Sequence, residues 1–376
     1  MDTVQNASRP GIRDLGVEIG RFQPGRYNAI TDVKGVRVGH VTHNRDEPRP
    51  DGTTGSVRSG VTAILPATGD IFDKHLVAGG FVLNGIGEML GLTQVLEWGW
   101  IETPIMLTNT MSVGEVHAGV VDYMSRRYNV GVETDVIIPV VGETDDSFLN
   151  DVGIRSVTRH DVSRAIRAAR SGPVPQGSIG AGTGMTTFDF AGGIGTSSRV
   201  LPEEDGGFSV GVLVLSNFGH MRNLTIEGAR VGKYLDSLFP REGRREYSYG
   251  SIIVVLATSA PLLPSQLSRI AKRAALGLGR AGSYAASTSG EIVIAFSTGN
   301  RLLRKERGTI RHLNMRFISD THINPIYEAA VEATEEAVLN AVFHSGGMVG
   351  RAGHASPAIP AKAVREALER GVSFTK

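Results

Sequence analysis

Residues 241–258 read REGRREYSYGSIIVVLAT, and the change of character inside this stretch decides how the chain is organised. Up to Tyr249 the segment is charged and polar, the composition of an exposed loop. From Ser251 onward it becomes an apolar, β-branched run, SIIVVLAT, which reads as a buried strand. A serine that heads a buried strand directly after a loop is placed for one unusual chemistry. If the Gly250–Ser251 bond were cut, Ser251 would carry a hydroxyl and a free α-amine, whose reference pKa is near ~7.7–8.0. Nucleophile and base would then share one residue, the N-terminal-nucleophile way of activating a hydroxyl. Gly250, on the other side of the bond, admits the distorted backbone that attack on its own carbonyl requires.

Working outward, TSGEIVIAF places Ser289 and Glu291 two residues apart at the mouth of another strand, so both face the same side. A carboxylate there is suited to stabilising an ammonium on Ser251, with the serine hydroxyl relaying a proton. Asn217 ends the apolar run of VLVLSNFGH, where its amide is a candidate oxyanion donor. The ordinary alternatives are a solvated strand end for the pair and a turn-forming residue for the asparagine.

Other strands are expected over 28–42, 60–66, from Phe81, 103–109, 135–141, 207–217 and 291–298. Helices are expected after Gly91 and over 112–126, 161–170, 264–279 and 324–343. In the helix from residue 264, Leu267, Ile270, Ala271, Ala274, Ala275 and Leu278 fall on one face. Strands and helices mix along the whole length without regular alternation, which points to sheets covered by helices.

Two motifs point elsewhere. GFSVG (207–211) has the spacing of a nucleophile elbow, but Ser209 is followed by a strand where that motif needs a helix. GIGEMLG, Gly85–Gly91, lies between a strand and a helix and supports a rival of another class, an NAD(P)-binding oxidoreductase. Against it, Asn84 is atypical before such a turn and no acidic residue ends a second strand about 20 positions on. A plain tight turn is the simpler reading.

Composition narrows the field. The 376 residues suffice for one large domain, and 48 glycines, about twice the usual ~7%, imply many tight turns and close backbone approaches. Lys and Arg number 39 against 38 acidic residues, so no footprint for nucleic acid or an anionic membrane appears. The absence of cysteine excludes disulfides and thiolate chemistry, and the ten histidines show no metal-binding spacing, so neither metal nor cofactor is expected. No signal segment or membrane span is recognisable, which makes a cytoplasmic enzyme the default expectation.

The blocks NAITDVKGVRVGH, RSGVTAILP, PVVGET, GTGM, GGIGTSSR, VGVLVLSNFG, GSIIVVLATSAPL, RAALGLGR, SGEIVIAFST and ATEEAVLNA, in this order, resemble the P1 peptidases, the family of DmpA-like L-aminopeptidase/D-esterases and β-peptidyl aminopeptidases. The resemblance runs from about residue 9 to about residue 342. It implies an α+β fold, an αββα four-layer sandwich that is Ntn-hydrolase-like with different, DmpA/ArgJ-like connectivity. It also implies one catalytic domain over 1–376, self-processed into chains 1–250 and 251–376 and assembled as a homo-oligomer of αβ units. By resemblance Ser251 is the nucleophile, Ser289 and Glu291 the pair beside its amine, and Asn217 the oxyanion residue. Glu143, in PVVGET, is the carboxylate that holds the free amine of a small peptide, amide or ester substrate. After Glu143 the chain departs from the family, which often carries bulkier or aromatic residues here; Asp145 and Asp146 make the rim acidic. The choice among α-peptides, D-residue amides or esters, and β-peptides stays open.

Overall fold

The computed structural model describes residues 9–49, 51–132, 136–240, 242–245, 250–304 and 313–370. Seven strands form in the first part: β1 Arg37–Pro48, β2 Thr54–Leu65, β3 Lys74–Gly85, β4 Met89–Leu90, β5 Trp100–Ile101, β6 Ile105–Asn109 and β7 Val140–Thr144. Two short strands, β8 Thr186–Thr187 and β9 Phe190–Ala191, make a hairpin before β10 Gly193–Val200, β11 Ser209–Asn217, β12 Gly250–Thr258 and β13 Ser289–Leu303. The main helices are α1 Leu92–Trp98, α2 Val113–Tyr128, α3 Arg159–Ala168, α4 Val231–Leu238, α5 Pro264–Ala281 and α6 Asn324–Phe343.

Two mixed sheets result, with orders β1-β2-β6-β7-β4 and β10-β11-β12-β13-β3-β5. Three apolar layers hold them together. Ile64, Leu107 and Val140 meet Leu213, Ile253, Val255 and Ile294 between the sheets. Val61, Met106 and Val141 pack on Val116, Val120, Val162 and Ala165 of α2 and α3. Val212, Val254 and Val293 pack on α5 and α6 through Leu267, Ile270, Ala337 and Val338. This is the expected αββα sandwich. Alternate residues of β12 feed different layers, Ile252, Val254 and Leu256 outward and Ile253, Val255 and Ala257 inward, so an unbroken apolar run is what a strand between two covered faces needs.

Several boundaries differ from the sequence reading for local reasons. β1 begins only at Arg37 because Asp32 accepts the backbone N–H groups of Tyr27 and Ala29 and closes a 3-10 turn over Ile30–Asp32. The apolar run at 135–141 pairs only from Val140, after Pro139, which has no N–H to donate; Asp135 lies outside the described residues. Of the loop expected over 241–249, residues 241 and 246–249 lie outside them too, while Glu242 and Gly243 are exposed.

Neither distracting motif survives. Ser209 opens β11 and no strand-to-helix elbow surrounds it. Gly85–Gly91 does not enter a parallel βαβ unit, since β3 runs antiparallel to both neighbours and the next strand, β4, pairs antiparallel with β7. The dinucleotide reading is thereby corrected.

Candidate active site

Ser251 lies in the middle of the larger sheet. In register it faces Asn217 on antiparallel β11 and Gly290 on parallel β13. Its side chain alternates in phase with Ile253 and Val255, toward the space between the sheets. There Oγ accepts from the N–H of Gly290 at 3.3 Å and lies 3.4 Å from the carbonyl oxygen of Ile86. At 7% exposure Ser251 is in reach of solvent yet largely shielded from it.

Gly250 has a packing reason to be glycine. It sits in ordinary strand geometry as the first residue of β12. A Cβ there would overlap the carbonyl oxygen of Asn217 and stand 2.9 Å from Cα of Phe218. Close approach of β11 demands the missing side chain.

Asn217 is held at both ends. Its Oδ1 accepts from the N–H of Thr186 at 2.9 Å, and its Nδ2 donates to the carbonyl of Asp145 at 2.6 Å. That fixes the amide plane and leaves one N–H of Nδ2 without a partner among the described residues.

Glu143 comes from the other sheet, at the end of β7. Its Oε1 accepts from the N–H of Glu88 at 2.8 Å, and its Oε2 accepts from the hydroxyl of Thr110. Burial raises its pKa above the ordinary carboxylate value; the bonds from Thr110 and Glu88 oppose this, and the nearby Asp145 and Glu88 charges add to it. Gly87 lies between Glu143 and Ser251. A Cβ on it would stand 3.2 Å from Oε1 of Glu143 and 3.7 Å from Oγ of Ser251. The two oxygens are therefore no farther apart than these distances laid end to end, about 7 Å.

Ser289 and Glu291 meet as the sequence suggests, the hydroxyl of Ser289 donating to Oε1 of Glu291. Neither is a solvated strand end: Ser289 is 3% exposed and Glu291 0%. Both alternate in phase with Val293 and Ala295, which pack toward α5 and α6, whereas Ser251 Oγ points the other way. The pair thus belongs beside the main chain of Ser251 and not beside its hydroxyl. Oε2 of Glu291 is buried without a hydrogen-bond partner among the described residues. Burial raises the Glu291 pKa, with Ser289 opposing.

The structure brings all five candidate side chains to the strand ends around Ser251. It adds Thr110, Thr186, Gly290 and the Ile86–Glu88 turn, which the sequence reading missed. These act through main-chain groups or single hydroxyls that carry no motif; the one available signal was the glycine run at 85–91. Among the described residues no cluster of three metal-binding side chains occurs, and no helix is long and apolar enough to cross a membrane.

Comparison with known proteins places the whole chain. The chain is 39% identical over 376 residues to the β-peptidyl aminopeptidase BapA of Sphingosinicella microcystinivorans, covering 97% of this chain and 93% of that one. The crystal structure of the PH0078 protein from Pyrococcus horikoshii OT3 superposes with a TM-score of 0.89 at 44% identity, over 96% of this chain and 99% of that one. The L-aminopeptidase D-Ala-esterase/amidase of Ochrobactrum anthropi, a prototype of the serine aminopeptidases and a variant of the Ntn-hydrolase fold, superposes with a TM-score of 0.88 at 41% identity, with the same coverage. With the model of peptidase family S58 matching residues 28–356, the chain belongs to that family.

Proposed function

We propose that this chain is a self-processing serine aminopeptidase that cuts itself between Gly250 and Ser251, as one catalytic unit of chains 1–250 and 251–376. It then releases N-terminal residues from short peptides, amides or esters. The observation that carries the reading is the position of Ser251 at the head of β12, with Asn217 opposite and Glu143 within about 7 Å. In an α-amino acyl substrate the amine nitrogen and carbonyl carbon lie about 2.5 Å apart across one Cα. An ammonium about 2.8 Å from a carboxylate and a hydroxyl about 3–3.5 Å from the carbonyl carbon complete a bent path of that span. Glu143 and Ser251 are thus spaced to hold one residue by its amine and attack it at its carbonyl.

In the first round Ser251 Oγ attacks the carbonyl carbon of Gly250, the C–N bond breaks, and the acyl group passes to oxygen as an ester while the nitrogen becomes a free amine. Water then hydrolyses the ester and leaves a carboxylate on Gly250. In later rounds the Ser251 amine takes the proton of Oγ as the hydroxyl adds to the substrate carbonyl, and returns it to the leaving amine. The remaining N–H of Asn217 stabilises the oxyanion. The unpartnered Oε2 of Glu291 provides an acceptor for the new ammonium, with Ser289 fixing the carboxylate.

β-Peptides are a second substrate class, favoured by the similarity to BapA. One extra carbon lengthens the path by about 1.5 Å and is accommodated by a sharper bend. Denaturing electrophoresis with N-terminal sequencing tests the processing, and an intact chain in active enzyme overturns it. Rates on matched α- and β-alanyl amides decide the class. Sedimentation of the processed protein tests assembly into a homo-oligomer of αβ units.

A further inference from the structure

Five residues before Gly250, Arg245 departs from what a connecting loop needs. Its Nη2 donates to the carbonyl of Thr186 at 2.9 Å and lies 3.4 Å from that of Gly219. The residue is half-buried with its Nε sealed from solvent, and burial lowers its pKa while the charges of Asp189 and then Asp145 pull it back up. Desolvating a guanidinium is costly unless partners replace the lost water. A segment that only had to join α4 to β12 would leave this charge in solvent, as it leaves Glu242.

What Arg245 grips is the frame around Asn217. Thr186 gives its N–H to Asn217 Oδ1 and its carbonyl to Arg245, and Gly219 follows Asn217 by two residues. The turn between β8 and β9 carries Phe188 and Asp189, both left-handed at φ 52° and 61°, and Asp189 also accepts the N–H of Met221. Two such residues in succession store strain that surrounding contacts must hold. The neighbouring Arg244 engages mainly Asp236 at 2.5 Å and the carbonyls of Phe239 and Pro240, with only a 4.0 Å ion pair to Asp189. Among the described residues of the segment entering the proposed scissile bond, Arg245 is the one that hydrogen-bonds to the main chain of the Asn217 frame.

We propose that Arg245 is a positioning residue for self-cleavage. It fixes the upstream end of the segment whose downstream end is fixed by β12, so that the Gly250 carbonyl is presented to Ser251 with the Asn217 amide beside it. The inference rests on the reading that Gly250–Ser251 is cut. Its effect belongs to the uncut chain, because once the bond is broken the tie no longer restrains Ser251. Holding a reacting bond in place is worth orders of magnitude in rate, and loosening an anchor forfeits part of it.

The test follows loss of the full-length chain in a pulse-chase translation, then measures kcat and KM of the processed enzyme. Arg245→Met is expected to slow cleavage at least about 10-fold while leaving kcat and KM of the matured fraction within about threefold. Arg245→Lys, which keeps the charge but not the fork, is expected to slow it at least about threefold. Arg244→Gln is expected to cleave at the wild-type rate. A purely structural arginine would lower yield and turnover together and would not separate the two reactions. The proposal is overturned if Arg245→Met cleaves within twofold of wild type, or loses turnover in proportion to cleavage. Should that variant not fold, Arg245→Lys at the wild-type rate overturns it equally. A wild-type protein that stays one chain instead removes the self-cleavage reading, before any variant is compared.

Discussion

Replacing Gly250 by alanine adds one methyl group at the most crowded point of the site. The new Cβ would overlap the carbonyl oxygen of Asn217 and stand 2.9 Å from Cα of Phe218, where real Cβ contacts essentially never fall under 3.0 Å. The obstacle is backbone, so no rotamer relieves it, and β12 must move from β11 by about 1 Å at the register that sets Ser251 against Asn217. A displacement of about 1 Å costs roughly 10²-fold in a reaction that depends on alignment, and the overpacking costs about 1–3 kcal/mol of stability. Gly250→Ala should therefore accumulate as precursor, its cleavage roughly 100-fold slower than wild type. The assay is densitometry of denaturing gels over a time course. Thermal unfolding beside uncut Ser251→Ala separates misalignment from global loss of structure. Chains that do mature should turn over substrate normally, because residue 250 is then free to leave the sheet. Cleavage within a factor of three of wild type, in a protein as stable as Ser251→Ala, refutes the reasoning.

Ser251→Ala should leave one uncut chain without peptidase activity, and an uncut variant that hydrolyses amides at the wild-type rate overturns the assignment. Glu143→Gln should lower kcat/KM on free-amine substrates by roughly 10²–10³-fold, since a buried ammonium loses its counter-charge; a free and an N-acetylated dipeptide amide hydrolysed at equal rates by wild type would contradict this role. Because burial raises the Glu143 pKa, wild-type kcat/KM should fall on acidification at a pH above the ordinary carboxylate value. Asp146 is buried and its pKa is raised from 3.8 to about 7, so the native state holds a proton there that the unfolded chain has released. Stability from this group is thus greatest below pH ~4 and falls by up to about 4 kcal/mol as pH rises to about 7. Denaturant midpoints of wild type and Asp146→Asn at pH 5 and pH 8 check it, equal slopes in both proteins being the contrary outcome.

How much of this was legible depends on whether side chains or main chain did the work. Ser251, Asn217 and the Ser289–Glu291 pair stood out because each sits where an apolar run begins or ends, and apolar periodicity is what sequence displays best. The limits of α6 were legible from its first residue to its last. Its burial was not: Glu332 and Glu336 are charged, yet both are sealed around Arg199, at 2.9 and 2.8 Å, with Glu336 also bound by Arg13. The partners lie more than a hundred residues away, and nothing local announces them. The second layer of the site was hidden for another reason. Thr186 and Glu88 contribute main-chain N–H groups, which every residue except proline possesses, and Gly87 contributes the absence of a side chain.

The order of the larger sheet has one more consequence. Strands from before Gly250 lie on both sides of the β12–β13 pair, β10 and β11 on one flank and β3 and β5 on the other. A chain cut there stays interleaved, and nothing falls apart. But under the proposed processing the linkage that brings β12 between its neighbours would exist only while the molecule is young. Unfolding would then release two polymers that must find each other at their ambient concentration, and a strand that must enter the middle of a sheet. For such a protein melting is a one-way passage, and what preserves it in use is the height of the barrier to opening, not the depth of the folded well.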